Sequence, residues 1–281
     1  MNLPYLLPDP ASPETNSPRG RCALGLMIKV PRAGASKTRL VPPLTHEEAA
    51  RLSINFLRDT AANVADACGG NSGGALQAVA VYTPAGAEGA LGELLPPNFA
   101  LLAQRGDSLG ERLFQASADL LRLGYESCCL IASDSPTLPR AAITMAVEEL
   151  GRPGDRLILG PSDDGGYYLI GMKRAHPRLF EEIAWSTADV LAQTIERARE
   201  INLDVGLLPA WYDVDDAAAL KRLCDELLDA PGGDGDEAAC DTRFAPYPAT
   251  HTRAELARLL DARGGARLWP NFAVAREEGV A

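Results

Sequence analysis

LGLMIKVPRAGASKTRL, residues 24–40, carries an apolar strand straight into a loop rich in glycine and cations. Lys29, Arg32, Lys37 and Arg39 crowd into this short stretch of a chain whose formal net charge is -11. A local positive cluster in an acidic protein implies a local anionic ligand, because the global field repels one. Gly34, with Ala33, Ala35 and Ser36 around it, lets backbone N–H groups approach such an anion. A polyphosphate is the expected ligand, and a solvated basic turn is the alternative. Neither standard phosphate loop is present: Ser36 stands where a Walker A motif has glycine before its lysine, and Gly34 alone cannot make the dinucleotide fingerprint. The order is nevertheless strand, loop, helix. Thr45 and Glu48 form a capping box, Leu44 is placed as a staple, and Ala49, Leu52, Phe56 and Val64 follow at helical spacing. A phosphate site where the first strand meets the first helix is the recurrent arrangement of open α/β folds.

Outward from this unit, strand and helix signals alternate. Strands are expected at 24–30, 76–82, 99–103, 128–132, 156–160, 167–171 and 204–208. Helices are expected near 45–66, 86–94, 108–122, 140–150, 187–200, 216–228 and 252–262, with a second capping box from Ser108 to Glu111. This alternation predicts a three-layer α/β sandwich around a mostly parallel sheet. The 281 residues, 46% hydrophobic, suffice for one large domain with appendages. We expect a disordered leader over 1–20, a catalytic domain over 21–229, a linker over 230–249 containing PGGDGD, and a C-terminal helix and tail over 250–281.

Composition narrows the function classes. No apolar run approaches membrane-spanning length, and the proline-rich start lacks the pattern of a secretory signal. An acidic chain without a basic face is a poor nucleic-acid binder. The six cysteines show neither metal spacing nor a disulfide framework, so a reducing, cytoplasmic compartment is expected. The three histidines are scattered and no GxSxG accompanies them, which argues against a serine or cysteine nucleophile.

Three acidic motifs stand where strands should end. IASDSPTLP puts Asp134 at the carboxyl end of the 128–132 strand, where open sheets bind ligands; it suits a Mg²⁺ or Mn²⁺ ligand or a turn cap. GPSDDGGYYLIG sets Asp163 and Asp164 against two glycines. Adjacent strand residues point to opposite faces, so one of the pair enters a site; a type I′ hairpin turn is the structural alternative. WYDVDD places Asp213 and Asp215 one pleat apart on one face, suited to a shared cation, while Asp215 or Asp216 is placed to cap the next helix.

In order, KVPRAGASKTRL, QRGDSLGER, SDSPTLP, GPSDDGGYYLIG, WSTADVLAQT and WYDVDD resemble one bacterial family of uncharacterised GT-A-type transferases, regarded as glycosyltransferases and linked to arsenosugar-type pathways. The resemblance spans roughly residues 24–228, and ATHTRAELARLL extends it. It implies the nucleotide-diphospho-sugar transferase fold. The chain is also similar to 2-phospholactate guanylyltransferases, through a comparable Lys-Ser-Arg-Leu, and to molybdenum-cofactor guanylyltransferases, through an Asp-x-Pro turn. Ala132 stands where the usual glycosyltransferase Asp-x-Asp has its first aspartate, which is nearer to nucleotidyltransferase practice, whereas DDGGYYLIG departs from the guanylyltransferases.

The implied activity is metal-dependent transfer of a sugar from a nucleotide diphosphate sugar to a small acceptor. The alternative is nucleotidyl transfer from a nucleoside triphosphate with release of pyrophosphate. In either case Lys29, Arg32, Gly34, Lys37, Thr38 and Arg39 are expected around the phosphates. Gln104, Asp107 and Gly110 are expected to border the base or ribose. Asp134, with Asp213 or Asp215, is expected to hold Mg²⁺ or Mn²⁺. Asp163 or Asp164 is expected to face sugar or acceptor hydroxyls, with a general-base role if the reaction inverts.

Overall fold

The first strand of the core, β2, owes its place to composition: Cys22–Lys29 is apolar on both faces, as a strand covered by helices on each side must be. A computed structural model describes residues 5–6, 22–69, 75–228 and 244–263. Tyr5–Leu6 (β1) adds a short edge to the sheet beside Ala100 and Leu101, inside the stretch expected to be a disordered leader; the rest of that leader, 230–243 of the expected linker and 264–281 of the expected tail lie outside the described residues. After β2 come α1 (His46–Gly69), β3 (Leu76–Thr83), α2 (Glu88–Gly92), β4 (Ala100–Ala103), α3 (Leu109–Arg122) and β5 (Ser127–Ala132). Then follow α4 (Arg140–Gly151), β6 (Arg156–Pro161), β7 (Tyr167–Met172), α5 (Val190–Glu200), β8 (Asp204–Leu207), α6 (Ala217–Leu228) and α7 (Thr250–Arg263).

The sheet order is β1-β4-β3-β2-β5-β7-β6-β8, with β7 antiparallel to its neighbours and the other pairings parallel. The mostly parallel three-layer sandwich is therefore present. Alternation along β2 decides which layer each side chain joins. Leu24, Leu26 and Ile28 pack with Leu57 and Val64 of α1 and Ile143 and Ala146 of α4. Ala23 faces the other layer, with Leu113 and Leu120 of α3 and Leu130 of β5. Gly25 shares that face because a Cβ there would lie 2.9 Å from the Leu130 side chain. A third cluster joins Leu40, Phe56, Val214, Leu220, Leu223 and Leu256, docking α6 and α7 against the start of α1.

Both capping boxes form. Thr45 N–H donates to Glu48 Oε2 and Glu48 N–H to Thr45 Oγ1, at 2.8 and 3.2 Å, and Ser108 and Glu111 are reciprocally bonded. The chain leaves β2 toward β3 and β4, then returns to the other side of β2 for β5, so the sheet reverses between β2 and β5. That switch point is where open α/β sheets hold ligands. Because β7 runs backwards, its first residues lie at the same edge as the ends of β2, β5 and β6, and four loops converge there. No helix among the described residues is long and apolar enough to cross a membrane.

Candidate active site

The loop after β2 is shaped by its own small residues. Ala35 and Ser36 N–H both donate to the Arg32 carbonyl at 3.1 Å, and Arg32 N–H donates to Ser36 Oγ at 3.0 Å. Gly34 has φ +75°, which glycine adopts without penalty. Lys37 adopts a left-handed conformation, φ 49°, ahead of the 3₁₀ turn Thr38–Leu40. Its buried ammonium lies 2.8 Å from Asp134 Oδ1 and 2.7 Å from Asp215 Oδ1, and 5.8 Å from the Phe56 ring centre. Burial works to lower the Lys37 pKa, but the two carboxylates outweigh it and hold the ammonium form above its ordinary range.

A cavity of about 690 Å³ opens over the ends of β2 and β5, within the usual size for small-molecule sites. Lys29, Lys37, Thr38 and Arg39 line it, together with Asp134, Asp164, Asp213 and Asp215. Asp213 and Asp215 of WYDVDD thus share one face, as their spacing predicts. Helix capping falls to Asp216, whose Oδ1 accepts from Ala219 N–H at 2.9 Å, which leaves Asp215 for Lys37. Asp213 accepts a 3.0 Å hydrogen bond from Ser162 Oγ. Burial, then the neighbouring Asp164 and Asp215 charges, push its pKa up to about 6. A backbone bond from Val214 N–H to the Asp134 carbonyl, 3.0 Å, ties the first and third acidic loops together.

The DDGG turn separates its two aspartates. Asp164 lines the cavity and accepts from Gly166 N–H at 2.9 Å. Asp163 points outward, 2.7 Å from Arg222 of α6, whose guanidinium stacks 3.9 Å from the Tyr212 ring centre. The turn differs from the type I′ alternative, which needs positive φ at both central residues. Gly165 N–H bonds back to the Ser162 carbonyl at 3.0 Å across Asp163 and Asp164, neither of which has positive φ; Gly165 alone is left-handed, φ +88°. This is a type I turn closed by a left-handed glycine, with a register shift at Gly160/Pro161.

Several expected nucleotide contacts lie elsewhere. Arg32 and Gly34 shape the loop but do not line the cavity. Gln104 donates its amide to the Val81 and Ile28 carbonyls, 2.7 and 3.3 Å, closing the ends of β2 and β3. Asp107 gives its backbone N–H to Glu111 as part of the α3 cap. Gly110 is small for packing, since a Cβ there would lie 2.7 Å from Trp185 Nε1. The helix expected over 187–200 begins only at Val190, because Ser186 is left-handed and Thr187 Oγ1 bonds the Ala184 carbonyl at 2.7 Å. That turn places Trp185, Ser186, Thr187 and Ala188 along the cavity with Leu109, Tyr167 and Ser162, none of them expected from the sequence. The one signal was pairwise: a glycine beneath Trp185 and another, Gly165, beneath Ala188.

Oxygen donors of this kind suit Mg²⁺ or Mn²⁺. Asp134 and Asp215 converge on one cation position, and Lys37 supplies the cation there. Among the described residues no three acidic, His or Cys groups are already gathered as a metal centre.

Residues 70–187 match DUF2064, a family described as an uncharacterised protein conserved in bacteria. No curated protein matches the chain. A crystal structure of a candidate nucleotide-diphospho-sugar transferase from Desulfovibrio desulfuricans G20 is 29% identical, covering 86% of this chain and 96% of that one with a TM-score of 0.68. Two more distant structures are 4-diphosphocytidyl-2C-methyl-D-erythritol synthase from Anaerococcus prevotii DSM 20548 and inositol-1-phosphate CTP transferase from T. maritima. The first is 10% identical over 73% of this chain and 96% of its own, with a TM-score of 0.46. The second is 12% identical over 73% and 93%, with a TM-score of 0.41. The likeness to the Desulfovibrio desulfuricans structure gives the chain the nucleotide-diphospho-sugar transferase type of fold.

Proposed function

We propose that this protein is a transferase that passes a sugar from a nucleotide diphosphate sugar to a small-molecule acceptor. The observation that carries the reading is the make-up of one cavity: Lys29, Thr38 and Arg39 come to it from the end of β2 and the loop after it, and Asp164 and Asp213 from the loops after β6 and β8. Cations oppose charge that builds on a departing diphosphate, and carboxylates recognise hydroxyls. The resemblance to a candidate nucleotide-diphospho-sugar transferase across most of both chains supports the same assignment.

In this reading Arg39 and Lys29 bind the phosphates at the β2 edge. Asp164, fixed by the Gly166 N–H and the Gly165 turn, aligns a sugar or acceptor hydroxyl and accepts its proton if the reaction inverts. A divalent cation held by Asp134 with Asp213 or Asp215 would supply further charge stabilisation when bound. The Trp185–Ala188 turn lines the cavity, with Trp185 packed on Gly110 of α3. Nucleotidyl transfer from a triphosphate is the second reading, favoured by Ala132 in place of a first strand-end aspartate.

Paired alanine variants test the division of roles. Asp164→Ala should abolish turnover while nucleoside diphosphate still binds, whereas Asp163→Ala should leave turnover within about twofold, an exposed ion pair being a weak contact. Loss of diphosphate binding in a folded Asp164→Ala protein would move that carboxylate into the nucleotide site and refute the assignment.

A further inference from the structure

Lys37 stands apart from the other cations of the cavity. Its side chain is only 6% exposed, and its ammonium is shared by Asp134 Oδ1 and Asp215 Oδ1 at near-equal distances of 2.8 and 2.7 Å. Lys29 and Arg39, by contrast, are exposed at the mouth. The left-handed backbone at φ 49° and the Phe56 ring set the direction of the Lys37 stem. A divalent ion takes carboxylate oxygens at about 2.0–2.2 Å and cannot share them with an ammonium already between them. Both cations need the same oxygens, and each repels the other.

An ammonium this buried leaves two carboxylates only toward another anion, because stranding it in the cavity is costly. Under the proposed function that anion is the phosphate group of the incoming nucleotide. We infer that Lys37 is a displaceable internal cation: it neutralises Asp134 and Asp215 and keeps divalent metal out of the free protein, and it passes to the nucleotide phosphates so that metal and nucleotide enter together. The inference rests on the cavity binding a nucleotide with a divalent ion. It goes further by making their binding mutually dependent and assigning that dependence to one side chain.

The test follows the electron paramagnetic resonance signal of free Mn²⁺, which is lost on binding, using the full chain without nucleotide. Wild-type protein should bind Mn²⁺ weakly, and Lys37→Met should bind it about tenfold more tightly or better, the range of an ordinary coupling between sites. Circular dichroism establishes that the variant is folded. Equal Mn²⁺ affinity in folded wild type and Lys37→Met overturns the inference. Should Lys37→Met not fold, the wild type alone decides. Adding nucleoside diphosphate should raise its Mn²⁺ affinity by about the same factor, after allowance for the complex of the two in solution. Unchanged affinity overturns the inference. Neither measurement depends on turnover, so absence of sugar transfer counts against the proposed function and not against the exchange at Lys37.

Discussion

Replacing Asp213 with Asn should make the protein more stable, and by an amount that depends on pH. The carboxyl is half-buried between Asp164 and Asp215, and its pKa is pushed from 3.8 up to about 6. A folded-state value above the unfolded one means that stability from this group is intact below about pH 4 and lost as pH rises through 6. At about 1.4 kcal/mol per unit the full displacement would be worth at most about 3 kcal/mol. Solvent reaches part of the group, which reduces the expected gain to about 1–2 kcal/mol at pH 8. Asn keeps an oxygen for the Ser162 hydroxyl, so the hydrogen bond at 3.0 Å survives. For a chain of this size the gain corresponds to a melting temperature higher by about 3–6 °C. Urea unfolding of both proteins at pH 8, 6 and 4 measures it: the Asp213→Asn advantage should be largest at pH 8 and vanish at pH 4. An advantage independent of pH, or a destabilised variant at pH 8, would refute the electrostatic origin.

Gly165→Ala combines a left-handed backbone, φ +88°, with a Cβ 2.1 Å from the Ala188 carbonyl oxygen. Urea unfolding should show a loss of about 2 kcal/mol or more, and an unchanged midpoint would mean the turn yields freely. Arg222→Ala removes an exposed ion pair and a stacked cation, so stability should fall by only about 0.5–1 kcal/mol. Turnover should stay within about twofold, as for Asp163→Ala, because the same exposed pair is lost, and a tenfold fall would show that this pair positions the turn bearing Asp164.

Much of this fold could be read from the chain because its signals are local. Apolar runs marked β2 through β8 to within two residues, and both capping boxes marked helix starts. Asp164 lines the cavity and Asp163 does not, but a type I turn separates them and not the strand alternation from which the sequence argued. What escaped was set by distant partners. Lys37 meets Asp215 across 178 residues of chain, so its burial between carboxylates has no local signature. Gln104 is spent on strand carbonyls and Gly110 on Trp185, two packing roles that look like ligand contacts when only the motif is visible. The Trp185–Ala188 wall depends on the left-handed Ser186, which helical periodicity gives no reason to expect.

Product analysis tests the central claim most directly. Purified protein is incubated with Mn²⁺ and a panel of nucleotide diphosphate sugars and nucleoside triphosphates, with and without a mixture of small hydroxylated acceptors, and the phosphate products are resolved. The account predicts acceptor-dependent release of a nucleoside diphosphate from a nucleotide sugar, abolished by Asp164→Ala. Release of pyrophosphate from a triphosphate, with every nucleotide sugar left intact, would contradict sugar transfer and assign the cavity to nucleotidyl transfer.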